Sequence, residues 1–328
     1  IDVVAYGAFV LADHYTKAEQ DIIDGLQDTA IDTKAPLDSP ALVNPTINGI
    51  AQSGYSGFKN LLINGGFDVW QRGTSGTTNV YTYLADRWKT GYYVGTQSQV
   101  PNEVLPNGEI VTALKMNNTT NNHGVLTQQV IEFGKQFSNK TVTLSFWIKL
   151  ETSVDKQVYI LFDGGNQGLY HTGNIGTSWT KISFTKTFGD LSSWADGKGM
   201  SVYVGSDQVL QNEFIQIAQV QLEVGSVATP FEQRPYGLEL SLCQRYYERM
   251  NATGVSMMST RFKGGAANSW YTHDYSVQKR TTPSISLANA GFDTITPFVY
   301  TSNDKCANLH ASNDFYFSSG YIEYDAEL

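Results

Sequence analysis

The chain has few of the residues from which metal centres and disulfide frameworks are built. Its 328 residues include two cysteines and five histidines. Cys243 and Cys306 lie far apart in sequence, and no two histidines fall at HxH or HExxH spacing. We therefore expect two free thiols, and we exclude a zinc site assembled from sequence neighbours.

Charged residues are also scarce, and basic ones most of all. They make up 16% of the chain, with 22 Lys and Arg against 31 Asp and Glu, for a formal net charge of −9. This balance disfavours phosphate binding as the main function, so we expect no nucleic-acid partner. No apolar run approaches the ~18 residues of a membrane span, so we expect a protein that is not membrane-embedded.

Aromatic residues and glycine are abundant instead. The sequence holds 19 Tyr, 16 Phe, 6 Trp and 30 Gly, and 41% of it is hydrophobic. This composition predicts a mainly β protein in which short strands alternate with tight turns. The length predicts two or three domains, and the patterns described next place their boundaries after residues 58 and 235.

Residues 1–58 differ from the rest in charge and pattern. They hold eight acidic residues against two lysines, so −6 of the net −9 lies there. Thr16 and Glu19 form a capping box that predicts a helix, but its apolar stripe is too narrow for a helix stable alone. Pairing with copies of itself in a short coiled coil is the favoured interpretation, and a solvated helix against a neighbouring domain is the alternative. The predicted contacts between copies are Ile22, Ile23, Leu26 and Ala30.

Three prolines follow the helix and predict an extended segment. Pro36, Pro40 and Pro45 forbid helix and disfavour a central strand. The run YTKAEQDII, followed by DTKAPLDSPALVNPTINGIA, resembles the repeated stalk segments of bacteriophage tail fibres. Since such segments are trimeric in that family, the resemblance implies a homotrimeric stem.

Residues 59–235 alternate in the manner of half-buried strands. In Thr141–Leu150 and Lys181–Phe188 apolar and polar residues take turns along the chain. In Glu213–Gly225 the residues predicted to face inward are Phe214, Ala218, Val220, Leu222 and Val224. Strands of this kind, separated by glycine-rich turns, predict a β-sandwich or jelly roll.

Several motifs in this block, taken in order, resemble the carbohydrate-binding-module-like jelly rolls of phage tail proteins. They are NLLINGGFDVWQRGTS, YLADRW, TLSFWIK, WTKISF and AQVQLEVGSVATPFEQRP, which together cover about half of the chain. The resemblance implies a glycan-binding domain within a virion tail.

Trp147 is the sharpest candidate for a sugar contact, because it lies on the polar face of its strand. Aromatic faces stack on sugar C–H groups, and amides bind the hydroxyls. Packing against a loop, the stem or a neighbouring subunit is nevertheless the favoured interpretation of Trp147, and the sugar contact is the alternative. The side chains that could share its face are Tyr159, Gln128, Gln219 and Gln221, whereas core or edge packing is expected of Trp70, Trp88 and Trp179.

No catalytic motif stands out, and we expect a protein that is not an enzyme. The sequence lacks a GxSxG elbow, a P-loop and a GxGxxG fingerprint. Asp68 and Asp86 are expected to be structural, with Asp86 paired to its neighbour Arg87. No cofactor is expected apart from a structural calcium ion of the kind that jelly-roll carbohydrate modules hold, for which hard oxygen ligands are suitable. The candidate ligands are Asn64, Asp68 and Glu223.

Residues 236–328 predict a β-rich tip domain. Leu238, Leu242 and Tyr246 predict a short amphipathic helix at its start. The junction FEQRPYGLELSLCQRYYER resembles the boundary before the C-terminal tip domain of many phage tail fibres. A dense aromatic and polar stretch then indicates an exposed recognition loop, and its candidate contacts are Trp270, Tyr271, His273 and Tyr275. A solvated turn with core packing is the other interpretation of this stretch.

The resemblances together imply the distal part of a phage tail fibre. Such a protein belongs to the virion and is joined to an upstream fibre or baseplate protein. It adheres as a trimer to a bacterial cell-surface glycan or an outer-membrane receptor. The alternatives that the residues leave open are a standalone carbohydrate-binding module, a polysaccharide-degrading tailspike and a structural fibre connector.

If residues 1–58 drive assembly, their deletion should break the trimer. We expect the intact chain to show about three chain masses by light scattering, and the shortened chain to show fewer. A shortened chain with an unchanged number of subunits would contradict the assignment of this segment as the stem.

Overall fold

The computed structural model describes most of the chain after residue 57. The described residues are 46–47, 50–51, 58–78, 82–90, 95–119, 124–151, 156–163, 167–206, 211–251, 269–292, 298–311 and 317–327. The chain divides into two compact units, 1–56 and 57–328. In the first unit, β1 (Thr46–Ile47) pairs antiparallel with β2 (Ile50–Ala51). The predicted helix lies outside the described residues, and with it the candidate stem contacts Ile22, Ile23, Leu26 and Ala30.

The larger unit begins with twelve antiparallel strands. In chain order they are β3 (Ser75–Thr78), β4 (Thr82–Tyr83), β5 (Lys89–Thr90), β6 (Gly95–Val104), β7 (Ile110–Asn118), β8 (Val125–Ile131), β9 (Thr141–Leu150), β10 (Lys156–Asp163), β11 (Gln167–Ile175), β12 (Thr180–Thr187), β13 (Met200–Ser206) and β14 (Phe214–Val224). They form two six-stranded sheets. The front sheet has the order β12-β9-β14-β7-β6-β3, and the back sheet has the order β11-β10-β13-β8-β5-β4.

The core lies between the two sheets, and strand alternation builds it. The inward residues of β9 are Val142, Leu144, Phe146, Ile148 and Leu150, none more than 1% exposed. Those of β10 are Val158, Ile160 and Phe162, and they belong to the same apolar cluster. Each such side chain contributes roughly 1.5–3 kcal/mol by leaving water. The prediction of a mainly β protein is confirmed, and the described strands pair antiparallel.

One strand departs from its predicted register. In β14 the residues packed in the core are Ile215, Ile217, Val220 and Leu222. The step of three between Ile217 and Val220 marks a β-bulge, where the pairing with β9 shifts register. Phe214 and Ala218 therefore lie on the outer face, and the prediction that they face inward is wrong.

The C-terminal part holds a helix and two three-stranded antiparallel sheets. Its elements are α1 (Tyr236–Gln244), β15 (Tyr247–Asn251), β16 (Ser269–Asp274), β17 (Ser284–Phe292), β18 (Phe298–Ser302), β19 (Cys306–Ala311) and β20 (Phe317–Asp325). The sheet orders are β15-β20-β17 and β16-β19-β18. Helix α1 buries Glu239 and Cys243 and leaves Leu238 and Leu242 half-exposed, so the predicted apolar face is wrong for the two leucines. Tyr246, the third residue of that face, follows the helix and is buried. Neither cysteine forms a disulfide, as expected, and among the described residues no helix is long and apolar enough to cross a membrane.

Two arginines join the sandwich to the C-terminal part. The guanidinium of Arg87, 1% exposed, lies 3.4 Å from the ring centroid of Tyr246 and forms an ion pair with Glu327. That of Arg72 lies 3.4 Å from the ring centroid of Tyr247. Asp86 pairs with Arg72 at 3.6 Å, so the predicted pairing of Asp86 with Arg87 is wrong. Burial raises the pKa of Asp86 to about 7, although Arg72 opposes the shift.

A second set of buried polar groups binds the inward face of α1. Glu239 accepts a hydrogen bond from the backbone N–H of Asn64 and two more from Arg234, both at 3.2 Å. Arg234 also donates to the carbonyl of Leu62 at 3.1 Å. These bonds explain why a glutamate and not a leucine faces the protein interior in α1, since a buried carboxylate needs charged and backbone donors.

We expect Glu327→Gln to destabilise the protein by ~3 kcal/mol or more. The substitution leaves the buried Arg87 without a counter-charge, and an unpaired buried charge is costly. Asp325→Asn is the matched control, because the Asp325 side chain is 42% exposed and pairs with Arg72 at 3.4 Å. Its loss should cost less than ~1 kcal/mol. Equal shifts of the two variants in urea unfolding would contradict this account.

The C-terminal sheets enclose a charged cluster around Glu248. Lys279, with a fully buried side chain, pairs with Glu248 and donates to the carbonyl of Gln244 at 2.6 Å. Ser276 donates its hydroxyl to Glu248 at 2.7 Å, and His273 Nε2 lies 3.5 Å from the same carboxylate. Burial acts to raise the pKa of Glu248, but these donors outweigh it and lower the pKa to about 2.

This cluster should lose its stabilising effect in acid. The folded pKa of Glu248 is about 2 against a reference of 4.5, so the stabilisation is complete above pH 4.5 and is lost as the pH falls through about 2. We expect the difference in unfolding free energy between wild type and Glu248→Gln to shrink by about 3 kcal/mol over that range. Glu248→Gln/Lys279→Met serves if the single variant does not fold. A difference that stays constant with pH would contradict this.

Candidate functional site

Trp147 lies on the outer face of the front sheet, as its position in the alternation predicts. Its cross-strand partners are Ala218 on β14 and Lys181 on β12. The indole is half-buried, and the Lys181 ammonium lies 6.0 Å from its ring centroid. Ala218, beside the indole, is fully buried.

Half of this outer face is covered by the protein itself. The covering segment, residues 225–232, follows β14 and crosses back over the sheet. Gly225 N–H donates to the carbonyl of Thr141 at 2.9 Å, and Glu232 N–H donates to Gln221 Oε1 at 2.8 Å. The polar side chains beneath it are buried, namely Thr143, Ser145, Gln221 and Glu223. The other half carries Trp147 and Lys149, which are both half-buried, and we call it the open half.

A second tryptophan stands on the open half. Trp179 immediately precedes β12, and Thr180 pairs with Ile148, so the indole lies next to Lys149. Its Nε1 donates to Glu103 Oε2 at 3.2 Å, and Lys149 Nζ donates to the same oxygen at 2.7 Å. The Lys149 ammonium also lies 4.7 Å from the Trp179 ring centroid. The ion pair therefore holds the indole in one orientation.

The sequence predicts that Trp179 packs in the core or at an edge, but the structure places it beside the Lys149–Glu103 pair on the sheet surface. The sequence contained the signal that finds it. Ile182 faces the core and is 4% exposed, so by the strand period of two Lys181 and Trp179 belong to the opposite face. The same reasoning selects Trp147. Diagonal neighbours on adjacent strands are about 7–8 Å apart, which is within reach of one oligosaccharide.

The amide and tyrosine candidates are divided among three environments. Gln219 lies in the front sheet at the bulge of β14 and is half-exposed. Gln221 is in the same strand but fully buried, and its amide bonds Glu223, Thr229 and Glu232. Tyr159 and Gln128 belong to β10 and β8 of the back sheet. The prediction that they share a face with Trp147 is wrong, because strand order brings them to the other side of the core.

Gln219 and Asp68 meet in a cleft of about 420 Å³, which we call the hairpin cleft. It lies between the tip of the β6–β7 hairpin and the bulge of β14. Its polar lining consists of Asp68, Asn102, Glu109, Thr112, Gln219 and Gln233, and its apolar lining includes Ile110 and Phe231. Gln219 Nε2 donates to Glu109 Oε2 at 2.7 Å, and Gln233 Nε2 donates to Asp68 Oδ2 at 3.1 Å.

The three calcium candidates serve separate local networks. Asn64 is fully buried and binds the backbone of Val69 and Asp86. Glu223 accepts bonds from Gln221 and Thr229 under the covering segment. Asp68 is in the hairpin cleft. Within the part of the chain that the structure describes, no group of three or more His, Cys, Asp or Glu is close enough to hold a metal ion.

In the tip, two of the four candidates are packed inside. The His273 ring stacks on Tyr324 at a centroid distance of 4.8 Å and an angle of 11°. Tyr275 is 8% exposed, and its ring lies 5.1 Å from that of Tyr324. These contacts join one tip sheet to the other, which departs from the predicted exposed loop. Trp270 and Tyr271 belong to β16, and their side chains lie outside the described residues.

No protein-family model matches this sequence, and no curated protein matches it. Solved structures that match cover about half of the chain. The CBM22-1 xylan-binding domain of Paenibacillus barcinonensis Xyn10C has a TM-score of 0.33 and 12% identity over 52% of this chain and 96% of that one. The enzymatically active domain of bacteriophage CBA120 tailspike protein 4 has a TM-score of 0.32 and 14% identity over 51% of this chain and 22% of that one.

A third similar structure is the arabinose-bound MgGH51 α-L-arabinofuranosidase. It has a TM-score of 0.38 and 17% identity, over 52% of this chain and 27% of that one. The match therefore spans less than a third of the tailspike and arabinofuranosidase chains. What the front sheet can bind depends on its own side chains.

Proposed function

We propose that this chain is the distal part of a phage tail fibre and adheres to a bacterial cell-surface glycan through the open half of the front sheet. The observation that carries the proposal is the pair of indoles, Trp147 and Trp179, beside the charged side chains of Lys149, Lys181 and Glu103. An aromatic side chain left partly in water on such a face is commonly explained by a binding partner.

The surroundings of the indoles suit a sugar. A pyranose presents C–H groups on its faces, which stack on an aromatic ring, and hydroxyls at its rim, which need hydrogen-bonding partners. Lys181 beside Trp147 and the Lys149–Glu103 pair beside Trp179 supply both donors and acceptors. Because Trp179 is already held by Glu103 and Lys149, little side-chain entropy is lost when a ligand stacks on it.

A shallow face of this kind binds one sugar chain weakly, and copies of the chain compensate. Linked sites raise the overall affinity without any new contact, provided that the target presents repeated glycans. A trimeric stem in residues 1–58, attached to an upstream fibre or baseplate protein, would present three such faces on the virion. The favoured role is adhesion without turnover, since no catalytic motif supports hydrolysis.

We expect Trp147→Ala to weaken glycan binding by ~1–2 kcal/mol, about five- to thirtyfold in Kd, with little change in melting temperature. The ring is half-buried on the surface, so its removal deletes a stacking contact and leaves the core intact. Binding can be measured by calorimetry against purified lipopolysaccharides and capsular polysaccharides, beginning with the tightest binder of the panel.

Ser183→Ala is the matched control, because Ser183 is exposed and follows Lys181 on the same face of β12. It should leave both affinity and melting temperature unchanged. A large loss of stability in Trp147→Ala would instead assign the indole to packing. If the protein releases reducing ends from the bound polysaccharide, adhesion without hydrolysis is wrong and the polysaccharide-degrading tailspike is the better interpretation.

A further inference from the structure

The hairpin cleft is built by two irregularities in the front sheet. In β14 the bulge places Gln219 in the left-handed region at φ 50°, and in β6 a register shift accompanies Asn102 at φ 62°. A left-handed backbone costs a non-glycine residue on the order of 1 kcal/mol, which surrounding structure must offset. The consequence is that both amides leave the regular alternation and line the cleft.

The hydrogen bonds inside the cleft fix the orientation of two amides and leave carboxylate acceptors free. A carboxylate can only accept, so Gln219 and Gln233 must turn their NH2 groups toward Glu109 and Asp68. The amide oxygens of the two glutamines then point elsewhere. One oxygen of each carboxylate, Asp68 Oδ1 and Glu109 Oε1, also has no hydrogen-bond donor among the described residues. Two carboxylate oxygens are therefore available to a ligand in the cleft.

The charge of the cleft has one sign. Its lining contains Asp68 and Glu109 and neither lysine nor arginine. The open half differs, since Lys149 and Lys181 lie beside its two indoles. Ile110, 70% exposed, and Phe231 add apolar surface to the cleft. A ligand that fits must present several donors, carry no negative charge and have an apolar face.

We propose that the hairpin cleft is a second saccharide subsite, selective for neutral and amino sugars and closed to uronic acids. It extends the proposed glycan binding to a site next to the open half, because Gln219 directly follows Ala218, the cross-strand partner of Trp147. Sugar hydroxyls and ammonium groups donate to Asp68 Oδ1 and Glu109 Oε1, and the sugar face lies on Phe231 and Ile110. A uronate would bring its carboxylate against Asp68 and Glu109, where like charges repel.

Calorimetry with three tetrasaccharides tests the proposal on the full chain. The probes are the glucosamine tetramer (here called chitotetraose), its N-acetylated form (N-acetylchitotetraose) and tetragalacturonate. A mildly acidic buffer keeps the amines of chitotetraose protonated. We expect chitotetraose to bind at least tenfold more tightly than tetragalacturonate, with N-acetylchitotetraose between them. Added salt should reduce the preference, because it screens the charges. Equal affinity for the amine and the uronate would overturn the proposal, and so would the absence of binding by all three.

The variant Asp68→Asn/Glu109→Gln keeps the shape of the cleft and removes its charge. We expect the preference for chitotetraose over tetragalacturonate to fall at least tenfold, while N-acetylchitotetraose changes less than threefold. Asp196→Asn is the matched control, since Asp196 is 96% exposed and pairs with Lys135, which does not line the cleft. An unchanged preference in the double variant, at an unchanged melting temperature, would refute the subsite.

The failure of this proposal can be told from the failure of the proposed function. If Trp147→Ala weakens glycan binding and the double variant leaves the sugar preference intact, the open half binds and the cleft does not. If the double variant removes the preference and Trp147→Ala has no effect, the cleft binds and the open half does not.

Discussion

The arrangement of the larger unit depends on the contacts that the buried guanidinium of Arg87 makes. It stacks on Tyr246, pairs with Glu327 and donates to the carbonyl of Val130 at 2.7 Å. These partners come from the start of the C-terminal part, its end and the back sheet. An arginine placed there without all three would be an uncompensated buried charge, so the contact forms only when the sandwich and the C-terminal sheets are assembled together. The residues of the YLADRW motif around Arg87 therefore have a structural role.

The front sheet owes its two candidate binding surfaces to irregularities in its pattern. A regular, uncovered sheet would present one continuous polar face. The covering segment removes half of that face from solvent, and the bulge of β14 turns Gln219 into the hairpin cleft. Trp147 and Trp179 lie in what remains. The open half bears Lys149, Lys181 and Glu103, whereas the cleft bears only carboxylates, so neighbouring surfaces on one sheet differ in charge.

Much of the fold follows from residue order, and particular elements show where that reasoning stops. The alternation in β9 places five apolar side chains in the core and Trp147 outside, as predicted. The same reasoning failed for the first half of β14, because an inserted residue changes the face without changing the composition. Trp179 was not predicted to lie on the outer face, although the period of two in β12 places it there. His273 and Tyr275 read as an exposed loop because polar aromatic residues suit a surface and a packed ring stack equally well.

The sequence by itself determined the strand-rich class, the inward face of most strands and the free thiols, because these depend on neighbours along the chain. Only the tertiary structure decided which strands share a sheet, and so which side chains share a surface. Tyr159 and Gln128 are separated from Trp147 by the core, whereas Asp68 and Gln219, far apart in sequence, meet in one cleft. The physical reason is that the pairing of distant strands is selected by burial of the whole core, and no local pattern records it.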